Sequence, residues 1–318
     1  MKRNILTATL AMTALGALGL FVFRASAAPK FSGWSVPVNL GPVVNSSVFD
    51  AVPALSKDGL SLYFVSRRPG GYGGMDIWVS QRATLEAPWG TPVNLGPTIN
   101  TTSDDGAPAL SRDGHLLFFS TNRPGGVTGG VAGWDIWVSA RIHTHDDFGW
   151  QTPVNLGAAV NSSATEWHPS YFENEDAGFP QLHFVSNRPG GLGGFDIYVS
   201  ELGPGGVWGP AVQVPSLNST YYEGNAFIRH DGLEVFLTSG RPLGAWAAND
   251  LFVSTRTSTL DAWSAPVNLG PTVNSASSDN VPSLSADGLV LLFGSSRPGG
   301  YGDSDIYMCT RTKLGGPE

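Results

Sequence analysis

Short apolar runs separated by turn residues recur along nearly the whole chain. Ser-Leu-Tyr-Phe-Val-Ser at 61–66, Leu-Leu-Phe-Phe-Ser at 116–120 and Val-Leu-Leu-Phe-Gly-Ser at 290–295 are examples. Such runs are too short for helices and rich in residues that suit a pleated surface, so they predict strands. An Asp-Gly pair precedes many of them (Asp58, Asp113, Asp231, Asp287), and Gly at the second position of a tight hairpin takes positive φ at little cost. A Pro-x-Leu-Ser strand lies before three of the pairs, from Pro53, Pro108 and Pro282, with Ala226 in the Pro's place before Asp231, and an Asp-Ile-Trp-Val-Ser strand follows a Gly-rich loop. A 3.6-residue period is absent.

The pattern repeats five times. Trp34, Trp89, Trp150, Trp208 and Trp263 recur at spacings of 55, 61, 58 and 55 residues. Pro-Val-Asn-Leu-Gly follows four of them, from Pro37, Pro92, Pro153 and Pro266, and is degraded to Ala-Val-Gln-Val-Pro from Ala211. Each copy supplies four strand candidates, which fits a propeller blade better than a solenoid turn. The chain opens on a fourth-strand segment, 34–40, and ends just after a third strand, 305–311. The N-terminal strand is therefore expected to complete the last blade, a closure that removes open sheet edges. The expected fold is all-β, a five-bladed β-propeller of four-stranded blades.

Residues 1–27 read as a signal peptide. Lys2 and Arg3 precede an uncharged apolar stretch at 5–23, and Ala25-Ser26-Ala27 offers a cleavage site after Ala27. The propeller then occupies 28–318, in the periplasm or secreted, with no membrane span after cleavage. Without the leader the chain has 15 Lys and Arg against 26 Asp and Glu, a formal charge of −11. That balance disfavours nucleic acid and anionic membranes and leaves cations, neutral sugars, peptides or a basic protein patch open. Cys309 is the one cysteine, so no internal disulfide braces the fold, and a monomer is expected.

The Pro-x-Leu-Ser-x-Asp-Gly, Arg-Pro-Gly-Gly and Asp-Ile-Tyr blocks together resemble the WD40-like (PD40/TolB-type) β-propeller repeat family. The resemblance covers residues 34–318 and implies the propeller fold. It implies no particular activity, since propellers host binding, scaffolding and catalysis alike.

Two sets of charged residues recur in all five copies. Arg68, Arg123, Arg188, Arg241 and Arg297 open the Gly-rich loop, while Asp76, Asp135, Asp196, Asp250 and Asp305 close it. An Arg fork holding the carboxylate across its own hairpin is the expected arrangement. The second set is acidic: Asp50, Asp105, Glu166, Glu223 and Asp279, at the head of each inner strand. Inner strands line a propeller's channel, so these five are expected to ring one mouth and bind a ligand or a cation such as Ca. Capping of the preceding Asn-Ser loop is their structural alternative. Trp167, His168, Tyr221 and Tyr222 break the repeat beside them and suit stacking on sugar rings. The 127–134 loop emerges on the same face. His143, His145, Asp146 and Asp147 have metal-like content on the opposite face.

Two functions follow. One is an exported, non-enzymatic module whose rim recognises a glycan, peptide or protein. The other is a glycoside hydrolase-like enzyme using rim carboxylates as acid and base, with Asp50, Asp105 and Glu166 as candidates. The regular repeat and the lack of a nucleophile motif favour the first.

Overall fold

The computed structural model describes residues 30–127, 133–174, 178–242 and 249–315, and the leader expected at 1–27 lies outside them. Five antiparallel sheets radiate around one channel. The first blade runs from the channel outward through Asp50–Leu55, Ser61–Ser66, Asp76–Gln81 and Val93–Asn94. Inner strands of the next four begin at Asp105, Glu166, Glu223 and Asp279. The outer strand is only two residues long in every blade, and in four of the five Pro-Val-Asn-Leu places a Pro before it and a Gly turn after it. The third blade departs from the others, with a longer inner strand and an extra Val207–Trp208 pair at its edge.

Closure follows the expected route. Val38 and Asn39 pair with Met308 and Tyr307, so the N-terminal strand supplies the fifth blade's outer edge. A second contact lies beyond it, where Lys30 and Phe31 pair with Leu314 and Lys313. Arg311 lies 3.7 Å from the Phe31 ring centre and 4.5 Å from that of Trp34, and it pairs with Glu234 of the fourth blade. No helix among the described residues is long and apolar enough to cross a membrane.

Blades pack through facing apolar sides. Tyr63, Ile77 and Val79 of the first blade meet Leu117, Phe119 and Trp150 associated with the second, all buried. Backbone bonds also link neighbours near the channel: Asp105 N–H donates to Met75 O, Glu166 to Trp134 O, and Asp50 to Ser304 O. The same tie therefore repeats at the head of each inner strand.

Every inner strand carries a bulge. Its register against the second strand slips just after the first residues, between Ala51 and Ala54 in the first blade. Val52, Ala107, His168 and Val281 occupy that slip at φ of 51 to 57°. Each precedes a Pro, which disfavours helical backbone, and β-branched residues rarely take positive φ. The fourth blade has Asn225 before Ala226 and keeps ordinary φ there. Strain of this kind is costly and is held only by its surroundings. Four strained residues thus converge on the channel.

Candidate active site

The recurring acids lie beneath the mouth. Asp50, Asp105, Glu166, Glu223 and Asp279 are all fully buried, with 0% exposure. Asp50 accepts hydrogen bonds from Ser46 N–H and Ser46 O–H, at 2.5 and 2.6 Å, and pairs with Arg68 at 2.7 Å. Thr101 and Arg123 hold Asp105, Ser162 and Arg188 hold Glu166, and Ser275 and Arg297 hold Asp279 in the same way. Each Arg also donates to a loop carbonyl of its own blade, as Arg68 does to Val44 O. Two rings flank the guanidinium, Phe64 and Trp78 for Arg68. As placed, none of the five offers an oxygen to the channel. Loop capping, joined to an ion pair, accounts for their recurrence.

The Arg partners expected from sequence are corrected by this arrangement. Asp76 is not bound by Arg68; it accepts from Tyr72 and Gly73 N–H and from the Asn94 side chain. The Gly-rich loop folds tightly over that carboxylate, and a Cβ at Gly71 would stand 1.7 Å from Asp76 Oδ2. Tyr301 and Asp305 repeat the bond. The repeated glycines are thus required by a buried acid.

Each of the five acids faces its own Arg rather than a shared centre, and among the described residues no group of three or more His, Cys, Asp or Glu is placed to hold a metal. Asp147 is likewise committed, pairing with Arg141 at 2.7 Å and accepting from Ser61, Tyr63 and Gln81 of the neighbouring blade. His145 is exposed and lies 3.7 Å from Asp58.

Above the acids, at the same end of the channel, lies a pocket of ≈ 300 Å³. Trp134, Trp167 and His168 form one wall, with ring centres 5.1 and 5.2 Å apart in succession. Tyr222 and Thr238 lie across from them, and Phe49 and Arg67 close a third side. Small residues make the room: Ala51, Gly106 and Ala107 line the floor. A Cβ at Gly224 would stand 2.6 Å from the Tyr222 ring, so only Gly lets that ring lie flat over the strand. Of the residues singled out in the sequence, Trp167, His168 and Tyr222 line the pocket. Tyr221 is exposed on the rim outside it. The 127–134 loop lies partly outside the described residues, and its Trp134 enters the wall.

Burial sets the electrostatics. His168 is 8% exposed, its Nδ1 has no partner, and burial pulls its pKa down to about 4. It is a neutral imidazole. The fourth blade's clamp is the weakest: Arg241 stands 3.4 Å from Glu223 and leaves one guanidinium nitrogen without a partner. Burial raises the Glu223 carboxyl above the usual range, against the pull of Ser219 and Arg241.

Sequence reasoning missed Phe49 and Arg67 of this pocket, and reached Trp134 only as the end of the 127–134 loop. Their signal was available, since each departs from its counterparts. Arg67 stands where the other copies have Asn122, Asn187, Gly240 and Ser296.

No protein-family model matches the chain, and no curated protein sequence matches it. Several solved structures share its fold. An α-L-arabinofuranosidase from Lactobacillus brevis is similar over 87% of this chain and 95% of its own, at TM-score 0.58 and 16% identity. One from Podospora anserina, in complex with cellotriose, is similar over 90% and 98%, at 0.55 and 14%. A GH43 endo-arabinanase from Bacillus licheniformis is similar over 86% and 96%, at 0.54 and 12%. Identities this low speak for fold alone. They nonetheless correct two expectations. The structural likeness is to glycoside hydrolase propellers rather than to PD40 repeat proteins, and the non-enzymatic binding module gives way to the hydrolase-like alternative.

Proposed function

We propose that this chain is an exported, glycoside hydrolase-like propeller that takes a sugar residue into the mouth pocket. The observation that carries the reading is the aromatic wall of Trp134, Trp167 and His168 facing Tyr222 across a cavity of one-sugar size. Apolar ring faces stack on such walls while a few polar groups fix orientation. The fold shared with arabinofuranosidases and an arabinanase supports it.

Acid–base work at this mouth falls to the carboxyls beside the wall. Glu166 immediately precedes Trp167, and Glu223 immediately follows Tyr222. Asp50 and Asp105 precede Ala51 and Gly106 and hold the floor. A general acid must keep its proton near neutral pH, and the desolvated, loosely clamped Glu223 is the one pushed that way. Glu166, held by Arg188, is the complementary carboxylate. Both lie under the floor here, so turnover requires the bound sugar to draw them out of their clamps.

The test is hydrolysis of aryl arabinofuranosides, aryl xylosides, aryl uronides and arabino-oligosaccharides by the purified chain. Glu223→Gln and Glu166→Gln should each lower turnover at least about tenfold, or about 1.4 kcal/mol of barrier. Trp167→Ala should act mainly on KM. Folded protein that cleaves none of these substrates overturns the reading.

A further inference from the structure

We propose that the sugar taken at this mouth carries a carboxylate, as a uronic acid does, and that Arg67 receives it. The inference rests on the glycan reading above and names its substrate class.

Charge is the first argument. Among the described residues lining the pocket, none is Asp or Glu, and Arg67 is the one formal charge. Its guanidinium lies 5.3 Å over the Phe49 ring, and its backbone N–H donates to Phe49 O. The side chain is exposed toward the pocket, and no carboxylate pairs with it among the described residues. The nearby Asp104 is turned away onto Met75 N–H at 2.8 Å. A planar guanidinium held on an aromatic face, with its fork free, matches a carboxylate bidentately.

The repeat supplies the second argument. Two of the four counterparts of Arg67 have structural work: Asn122 accepts from Asp104 N–H, and Asn187 from Thr165 N–H. Gly240, Ser296 and Arg67 forgo that bond, and Arg67 alone puts a charge there. An unrepeated cation placed at a mouth, beside unrepeated aromatics, has no part in blade construction.

The formal charge of −11 without the leader opposes an anionic ligand only at range. The five acids below the floor each carry their own Arg, and the rest is screened beyond roughly 8 Å at physiological salt.

Titration calorimetry on the full chain tests the assignment, using α-1,4-trigalacturonate and its methyl ester, which lacks the charge and carries a methyl on each carboxyl. The acid should bind at least about tenfold tighter than the ester, with the advantage shrinking as salt rises. R67Q, a change at an exposed position that should melt with the wild type, should bring the two affinities within about threefold. Equal affinities in the wild type, or a preference that survives R67Q, overturn the proposal. If neutral arabinosides are cleaved and no acid preference exists, the hydrolase reading stands and this one falls. Acid preference without any hydrolysis does the reverse. Failure to bind or cleave any sugar sinks both.

Discussion

Arg188→Ala is the perturbation that most directly separates the arrangement seen here from the one the sequence suggests. Arg188 Nη2 donates to Val160 O at 2.6 Å and to Glu166 at 3.0 Å, and Nε donates to Ser186 Oγ at 3.1 Å. The guanidinium lies 4.8 Å over Tyr198 and 5.3 Å over Phe184. Its side chain is 16% exposed and that of Glu166 is 0%, so solvent screens little of the pair. Removing the cation leaves Glu166 buried with hydroxyl donors and no counter-charge, which costs roughly 3–5 kcal/mol. For a domain of this size that lowers the unfolding midpoint by roughly 6–12 °C. The partner is identified by a double-mutant cycle. R188A/E166Q should recover about half of the loss or more, because no charge remains stranded. R188A/D196N should recover nothing, since Asp196 is held by Leu192 and Gly193 N–H instead. Denaturant unfolding gives both numbers. Rescue by D196N and not by E166Q would refute the clamp, and a loss under about 1 kcal/mol for R188A would refute its energetic weight.

Two further outcomes are expected. A chain beginning at Gly41 loses the Val38–Asn39 pairing and the Arg311 contacts with Phe31 and Trp34, and should lose several kcal/mol, on the order of 3–6 from burial and ladder bonds; an unchanged melting midpoint would mean that closure carries no stability. The buried histidines should make the fold acid-labile: pKa values of about 4 for His168 and about 3 for His183 lie below the ordinary value, so the unfolded chain takes up protons first and stability falls as pH drops below about 6.5, by about 2 kcal/mol per histidine at pH 5. H168Q/H183Q should therefore lose less stability than the wild type between pH 7 and pH 5, whereas equal losses would place the acid sensitivity elsewhere; the raised Glu223 acts in the opposite direction and cancels in the comparison.

Blade number, strand order and closure were all legible in the sequence, because each blade restates the same local rules and the phase of the repeat says where the ring joins. The Arg partners were not. Arg68 is eight residues from Asp76 and 18 from Asp50, and both acids recur in every copy, so proximity along the chain favoured the wrong one. The channel-side tie of Asp50 N–H to Ser304 O turns the head of the inner strand toward its own loop, which brings the distant acid to the Arg. Two other repeated devices went unread for a similar reason. Asn100 clasps both backbone groups of Ile77 across the sheet, and Asn45, Asn161, Asn218 and Asn274 do the same in the other blades. Arg82, Arg141, Arg256 and Arg311 stack on Trp89, Trp150, Trp263 and Trp34.

Repetition itself separates two kinds of residue at the mouth. A residue kept in five blades answers a need that all five share, and the shared need at the head of each inner strand is to satisfy a tight loop and an Arg. The sugar proposed above has no five-fold symmetry, so groups that recognised it would break the repeat. Arg67, Trp134, Trp167, His168 and Tyr222 all do so, and all line one pocket. The acids that chemistry would need are drawn from the repeated set and remain clamped beneath it. The two glutamates among them, Glu166 and Glu223, sit in the two blades whose neighbouring residues are Trp167 and Tyr222. Their extra methylene lengthens the reach of the carboxyl in just those blades, and in the fourth the Arg has already drawn back to 3.4 Å. Departure from the repeat, in the mouth and in the clamp alike, therefore points to the same side of the channel.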